Sequence, residues 1–304
     1  MKFFNLNQNK LERDAVVEDT TPNIKYYFKS LWRKLARLVS INLLAIFQFA
    51  PLLAAFLVRF WADTTPTITN EMFPVLKGIT TMSEFSPADF SIMSATSLQY
   101  NVPYISVWTI VAIALLIVFF ALTFGLWNVG LTYLMREMVN GNPVFIFSDM
   151  KYVIKRNLKN GILFGIVDFI ILGIFYMDFT NLDAFPSDFI GELMYVAVIV
   201  IAIIYLIMRF YFYLMLITFE MKFRKIFKNA LIFVMLGLKL NLLAILWIVL
   251  LVAFNLALVV VYTPLGVILP FLYIPAVPMF TTTYAAYPII KKYMIDPVAP
   301  ESNE

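Results

Sequence analysis

The chain has 304 residues, of which 62% are hydrophobic and only 14% charged, whereas a soluble globular domain is nearer half apolar and a quarter charged. Its formal net charge is +4, and it contains no cysteine and no histidine, which excludes disulfides, thiol catalysis and zinc sites of the Cys/His kind. A chain with so few charged residues cannot cover its surface with polar groups, so we expect it to be surrounded by lipid. Because backbone polar groups in lipid must be paired internally, the sequence predicts an all-α, polytopic membrane helix bundle.

The N-terminal segment, residues 1–21, is polar and acidic and has no apolar core of the kind found in cleavable signal peptides. We therefore expect it to be a cytoplasmic tail, followed by a membrane domain over residues 22–292 and a cytoplasmic C-terminal tail over residues 293–304. The first apolar span then serves as an uncleaved anchor.

Six stretches are long enough to cross a bilayer, which takes about 20 apolar residues each. They cover residues 38–61, 104–134, 158–176, 191–218, 239–262 and 265–290. Pro270, Pro275 and Pro278 crowd the last stretch and predict a kinked helix. The long segment between the first two spans, residues 62–103, is expected to be a solvated connector, with a cap over the bundle as the alternative.

Basic residues mark one side of these spans. Most of the 23 Lys and Arg residues lie before the first span, in the connections after the second and fourth spans, and after the last span. The other connections and their edges hold only Arg59 and Lys77, together with several acidic residues. Because cytoplasmic loops are rich in Lys and Arg, we expect both termini in the cytoplasm.

Three basic amphipathic segments precede the odd-numbered spans, and the first has an apolar stripe from Ile24 through Phe28 to Leu38. Such segments suit the anionic headgroups of the inner leaflet. The residues predicted to contact these lipids are Lys25, Lys29, Arg33, Arg37, Lys155, Arg156, Lys159, Lys222, Arg224 and Lys225. Alternatively, the first segment is the cytoplasmic end of the first span. With the matching NLLAI runs at residues 42–46 and 241–245, these segments predict three hairpin repeats, each an inner-leaflet helix and two spans.

Two charged residues lie well inside spans, away from the span ends, where charges are rare and often functional. Asp168 lies about 10 Å into the third span, and Arg209 lies at a similar depth in the fourth, by the helical rise of 1.5 Å per residue. We hypothesise a buried ion pair. The alternatives are that Arg209 extends to the inner headgroups and Asp168 faces a watery crevice. Other in-span polar residues, such as Asn42 and Asn241, are expected to join helices rather than bind substrate.

Two motifs carry a family resemblance. Residues 130–136 (GLTYLMR), then Asn142-Pro143 and residues 155–159 (KRNLK), with a later FKNA at residues 227–230, resemble the YesL-like family of bacterial integral membrane proteins, a domain of unknown function. The long segment 62–103 departs from that family. The resemblance implies a protein of the bacterial cytoplasmic membrane, associated with carbohydrate uptake and with an ABC-type sugar transporter as partner. It implies no catalytic residues.

These observations leave open what the protein does. One hypothesis is a non-enzymatic accessory component of carbohydrate uptake or polysaccharide utilisation. The alternative is a small-solute transporter or channel with Asp168 and Arg209 in its pathway. No catalytic constellation, cofactor motif or metal cluster is recognisable, so neither an enzyme nor a cofactor is expected, and the charge pattern indicates lipid rather than nucleic acid as the partner.

Overall fold

The structure is a computed structural model that describes residues 23–61, 66–68, 101–103, 106–181 and 188–298. The predicted tail over residues 1–21, most of the connector 62–103 and residues 299–304 of the predicted C-terminal tail lie outside the described residues.

The described chain is built of α-helices, with one two-stranded antiparallel sheet in which Pro66 pairs with Pro103. In chain order the elements are α1 (Ile24–Ile46), a 3-10 turn (Phe47–Phe49), α2 (Ala50–Trp61), β1 (Pro66–Ile68), β2 (Asn101–Pro103), α3 (Val107–Val139), α4 (Ile146–Arg156), α5 (Leu158–Thr180), α6 (Phe189–Thr218), α7 (Phe223–Leu236), α8 (Leu238–Val261), α9 (Thr263–Ile268), α10 (Pro270–Tyr273), α11 (Ala276–Ile290), a π turn (Lys291–Ile295) and a 3-10 turn (Asp296–Val298).

Within this described part, five helices are long and apolar enough to cross a membrane, or six if the bent pair Thr263–Tyr273 and Ala276–Ile295 is one span. That pair bends by 47° between its two halves, in the stretch where the sequence concentrates proline. The predicted multi-pass helical membrane architecture is confirmed at this level. The count of six and the three hairpin repeats stay predictions.

The amphipathic segment before the first span is not a separate helix, because α1 runs without a break from Ile24 to Ile46. This continuity favours the alternative in which the segment is an end of the first span. Ile24 and Phe28 of the apolar stripe are exposed, as a lipid-facing stripe requires, whereas Leu38 at its end is fully buried. Tyr27, Ser30 and Lys34 form the buried face of the basic segment.

Two hydrogen bonds join the face of α1 that carries Tyr27 and Lys34 to other helices. The hydroxyl of Tyr27 lies 2.7 Å from that of Thr281 in α11, and the Lys34 ammonium donates to the carbonyl oxygen of Met138 near the end of α3. Cations are favoured at that end of a helix, where carbonyl groups lack helical partners.

The later amphipathic segments are separate helices, α4 and α7. Asn157 separates α4 from α5, and Gly237 separates α7 from α8. All ten side chains predicted to contact anionic lipid are exposed, as that prediction requires. Their contact with lipid itself stays a prediction.

The chain divides into two compact units, one formed by Met1–Phe49 and Ala121–Glu304 and the other by Ala50–Phe120. In the larger unit α11 is the central helix, since it contacts α1, α6, α7 and α8. Further contacts join α5 with α6 and α7 with α6.

Large apolar side chains are exposed along these helices, including Trp32 at 80% and Val260 at 85%. Soluble monomers rarely show contiguous apolar surface of this extent, because it costs free energy in water. Hydrocarbon removes that cost, so the exposed surface independently supports a membrane location.

Candidate functional site

Asp168 and Arg209 are in direct contact. Asp168 lies near the middle of α5, about 15 Å from its first residue at 1.5 Å per residue. The Arg209 Nε lies 2.9 Å from Oδ1 of Asp168, and Nη2 lies 3.0 Å from Oδ2. This two-point contact suits the planar guanidinium, and charge-assisted bonds of this kind are stronger than neutral ones.

Two tyrosines complete the environment of the carboxylate. The Tyr205 hydroxyl donates to Oδ1 of Asp168 at 2.8 Å, and the Tyr213 hydroxyl donates to Oδ2 at 2.7 Å. Asp168 is only 2% exposed, so these donors replace the water that the carboxylate loses. The carboxylate is therefore held by three side chains of α6.

The three α6 residues follow a spacing of four. Positions 205, 209 and 213 lie on one face of a helix, because residues four apart are neighbours there. Sequence reasoning assigned no role to Tyr205 or Tyr213 and so missed them. The Tyr-x3-Arg-x3-Tyr pattern in a span was the signal that would have identified them.

The two charged groups differ in accessibility. The Arg209 side chain is 24% exposed, whereas that of Asp168 is 2% exposed. Among the described residues, Nη1 of Arg209 has no hydrogen-bond partner, since Asp168 engages Nε and Nη2. The guanidinium also lies 5.9 Å from the ring centre of Phe124. Arg209 is therefore the member of the pair that retains a free donor.

A cavity of about 530 Å³ lies beside the pair, and Arg209 and Tyr213 are part of its wall. Residues of α3, α5, α6, α8 and α11 line it, together with the 3-10 turn after α1 and the stretch between α10 and α11. Its size is within the range of sites that bind small organic molecules. Most of the wall is apolar, with residues such as Leu206, Ile248 and Met279.

Three polar side chains of the wall have no hydrogen-bond partner among the described residues. Gln48, Thr132 and Thr283 are each at least nine-tenths buried and line the cavity. None of their side chains makes a hydrogen bond to the described residues. Buried polar groups are normally paired, so these three are available to a molecule in the cavity.

The bend between α10 and α11 borders the same cavity, through Ile274 and Pro275. Asn42, fully buried in α1, donates from Nδ2 to the carbonyl oxygen of Phe271 at 2.7 Å and accepts from the Ala276 N–H at 2.9 Å. A broken helix frees backbone groups that need such partners in lipid. The expected role of Asn42 in joining helices is confirmed by these bonds.

Asn241 has the corresponding role beside the α7–α8 junction. It accepts from the Tyr211 hydroxyl at 2.8 Å and donates to the carbonyl oxygen of Val234 at 3.2 Å. The two NLLAI runs thus each place a fully buried asparagine against a helix end.

No cluster of three or more potential metal ligands is found among the described residues. In comparisons with known proteins, no family model, curated protein or solved structure matches this chain.

Proposed function

We propose that this protein is a membrane transport protein that binds a small solute in the cavity beside Asp168 and Arg209. The observation that carries the proposal is the cavity itself, which lies among five helices, has unpartnered polar groups on its wall and borders a broken helix. Ionisable residues inside spans commonly mark solute or ion pathways.

The broken helix supports a transport role in particular. Many transporters bind their solute where spans are interrupted, because irregular backbone at membrane depth is tolerated where it lines a cavity. Here Asn42 pairs backbone groups on both sides of the bend, so the interruption is held in place rather than left unsatisfied.

The role in carbohydrate uptake, with an ABC-type sugar transporter as partner, rests on the resemblance to the YesL-like family and stays a prediction. The cavity does not favour it directly, because a sugar needs many hydrogen-bonding groups and this wall is mostly apolar. If the accessory role holds, it requires a different surface.

We propose in addition that the protein lies in the bacterial cytoplasmic membrane with both termini inside. Since the natural chain has no cysteine, single-cysteine variants can be made without a background thiol. We expect an impermeant thiol reagent to label Asn181→Cys on intact cells, and Lys151→Cys and Lys225→Cys only after the cells are opened. Labelling of either lysine position on intact cells would contradict this orientation.

The transport proposal predicts that water reaches the cavity. In sealed proteoliposomes, a membrane-impermeant methanethiosulfonate reagent is expected to modify Thr282→Cys and Asn128→Cys, both on the cavity wall. If transport occurs by alternating access, the cavity opens to each side of the membrane in turn, so the reagent should modify these cysteines from either side. The readout is the rate of modification by mass spectrometry.

The matched controls are Ile201→Cys, on an exposed apolar surface of α6, and Ala286→Cys, fully buried in α11. Both are expected to stay unmodified, because a charged reagent does not enter hydrocarbon or a packed interior. If neither cavity cysteine is modified by reagent added on either side of the membrane, the cavity is a sealed void, and a transport pathway is ruled out.

A further inference from the structure

We infer that the solute is an uncharged amphipathic molecule, with an apolar body and one polar end that accepts hydrogen bonds. This inference deepens the proposed function and rests on it. It concerns the class of molecule that the cavity wall selects.

The charge of the site is balanced before any solute enters. Arg209 and Asp168 are in contact, and the described residues of the cavity wall include no other charged side chain. A charged solute would therefore lose its hydration without meeting an unpaired opposite charge, and burying such a charge is costly. An uncharged solute avoids that cost.

The free hydrogen-bonding groups include one that can only donate, Nη1 of Arg209. The Thr132 and Thr283 hydroxyls and the Gln48 amide can each donate as well as accept. A carbonyl or ester oxygen can accept from Nη1 and from these groups. Leaving such groups unpaired costs free energy, so a solute that pairs them is favoured over one that is apolar throughout.

The remaining wall selects for an apolar body. Leu131, Leu172 and Ile245 are among the aliphatic side chains that line it, and Phe210 adds an aromatic face. The volume of about 530 Å³ would hold roughly 15 to 20 water molecules at about 30 Å³ each. A short aliphatic chain with one polar end fits this size and this surface.

The test is protection of a cavity cysteine from labelling. The reporter is Thr282→Cys, because the Thr282 hydroxyl bonds only to the Met279 carbonyl of its own helix among the described residues. The probes are methyl decanoate, decanoate and decylammonium, which share chain length and differ in head charge. Each is added to proteoliposomes before the methanethiosulfonate reagent, and the labelling rate is measured.

We expect methyl decanoate to slow the labelling about tenfold at a concentration about ten times its Kd, by mass action, and the two charged probes to protect less. Lys151→Cys is the control, since it lies on α4 outside the cavity and should label at one rate with all three probes. Gln48→Leu in the reporter chain should weaken protection by methyl decanoate about two- to tenfold, as expected for one lost hydrogen bond.

Arg209→Gln should weaken protection too, but this variant also breaks the ion pair and lowers stability, so Gln48→Leu is the decisive variant. Three outcomes would overturn the inference. They are equal protection by all three probes, better protection by decanoate or decylammonium, and unchanged protection in Gln48→Leu. A reactive reporter that no probe protects overturns the solute class alone. A reporter that never reacts overturns the proposed function as well.

Discussion

Replacing Asp168 by asparagine is expected to lower the free energy of unfolding by about 3–5 kcal/mol, since removal of one partner leaves a buried charge without compensation. Arg209 would keep its charge at a depth where the only described carboxylate within contact is that of Asp168. Arg209→Gln should cost a similar amount, because the Asp168 carboxylate is only 2% exposed.

The double variant Asp168→Asn/Arg209→Gln should cost less than the sum of the single variants, because neither charge is then left alone. Titration with dodecyl sulfate from lipid–detergent micelles, followed by circular dichroism, measures each free energy. Tyr213→Phe should cost about 1.5–3 kcal/mol, the range for a hydrogen bond to a charged group. Tyr176→Phe is the control, since this side chain is 69% exposed. Additive effects in the double variant would show that the pair is not energetically coupled.

Gly125→Ala and Gly165→Ala are each expected to cost about 3 kcal/mol or more, because both glycines lie where the backbones of α3 and α5 touch. A Cβ on Gly125 would lie 2.5 Å from the Cα of Gly165 and closer still to the carbonyl oxygen of Gly161. Real Cβ atoms essentially never approach within 3.0 Å, so the two helices must separate. The clash is with backbone, which no rotamer change relieves.

Two other glycines of α5 provide matched controls. A Cβ on Gly161 would meet side-chain atoms of Leu126 at 3.1 Å and Val129 at 3.4 Å, which can shift, so Gly161→Ala should cost less. A Cβ on Gly173 would meet no described atom within 4 Å, so Gly173→Ala should be neutral or slightly stabilising. The same titration measures all four. Equal effects at Gly173 and Gly165 would show that helix propensity, not contact, sets the cost.

Sequence alone predicts the bounds of a membrane helix where the composition changes sharply along the chain. The bounds of α5, α6 and α8 lie within about four residues of the predicted spans, because long apolar runs there meet polar or basic residues. The contact of Asp168 with Arg209 followed from helical rise and the expectation that consecutive spans are neighbours. Both inferences use local quantities that the sequence contains.

The remaining features depend on packing between distant helices. The cavity requires residues from Gln48 to Thr283 to meet, and no local pattern encodes that arrangement. The Gly161-x3-Gly165 spacing does indicate a close helix contact, but its partner at Gly125 is not evident from sequence. The burial of Lys34 on α1 is not evident from sequence for the same reason, because its partner, the carbonyl oxygen of Met138, lies on α3.

The bonds from α1 to the last helices have a consequence for biosynthesis. Asn42 pairs with Phe271 and Ala276, and Tyr27 pairs with Thr281, more than 200 positions later in the chain. As the chain emerges from the ribosome in order, Asn42 enters the bilayer before its partners at residues 271 and 276 have been made. The packing of α1 is therefore completed only after α10 and α11 have been inserted, more than 200 residues later.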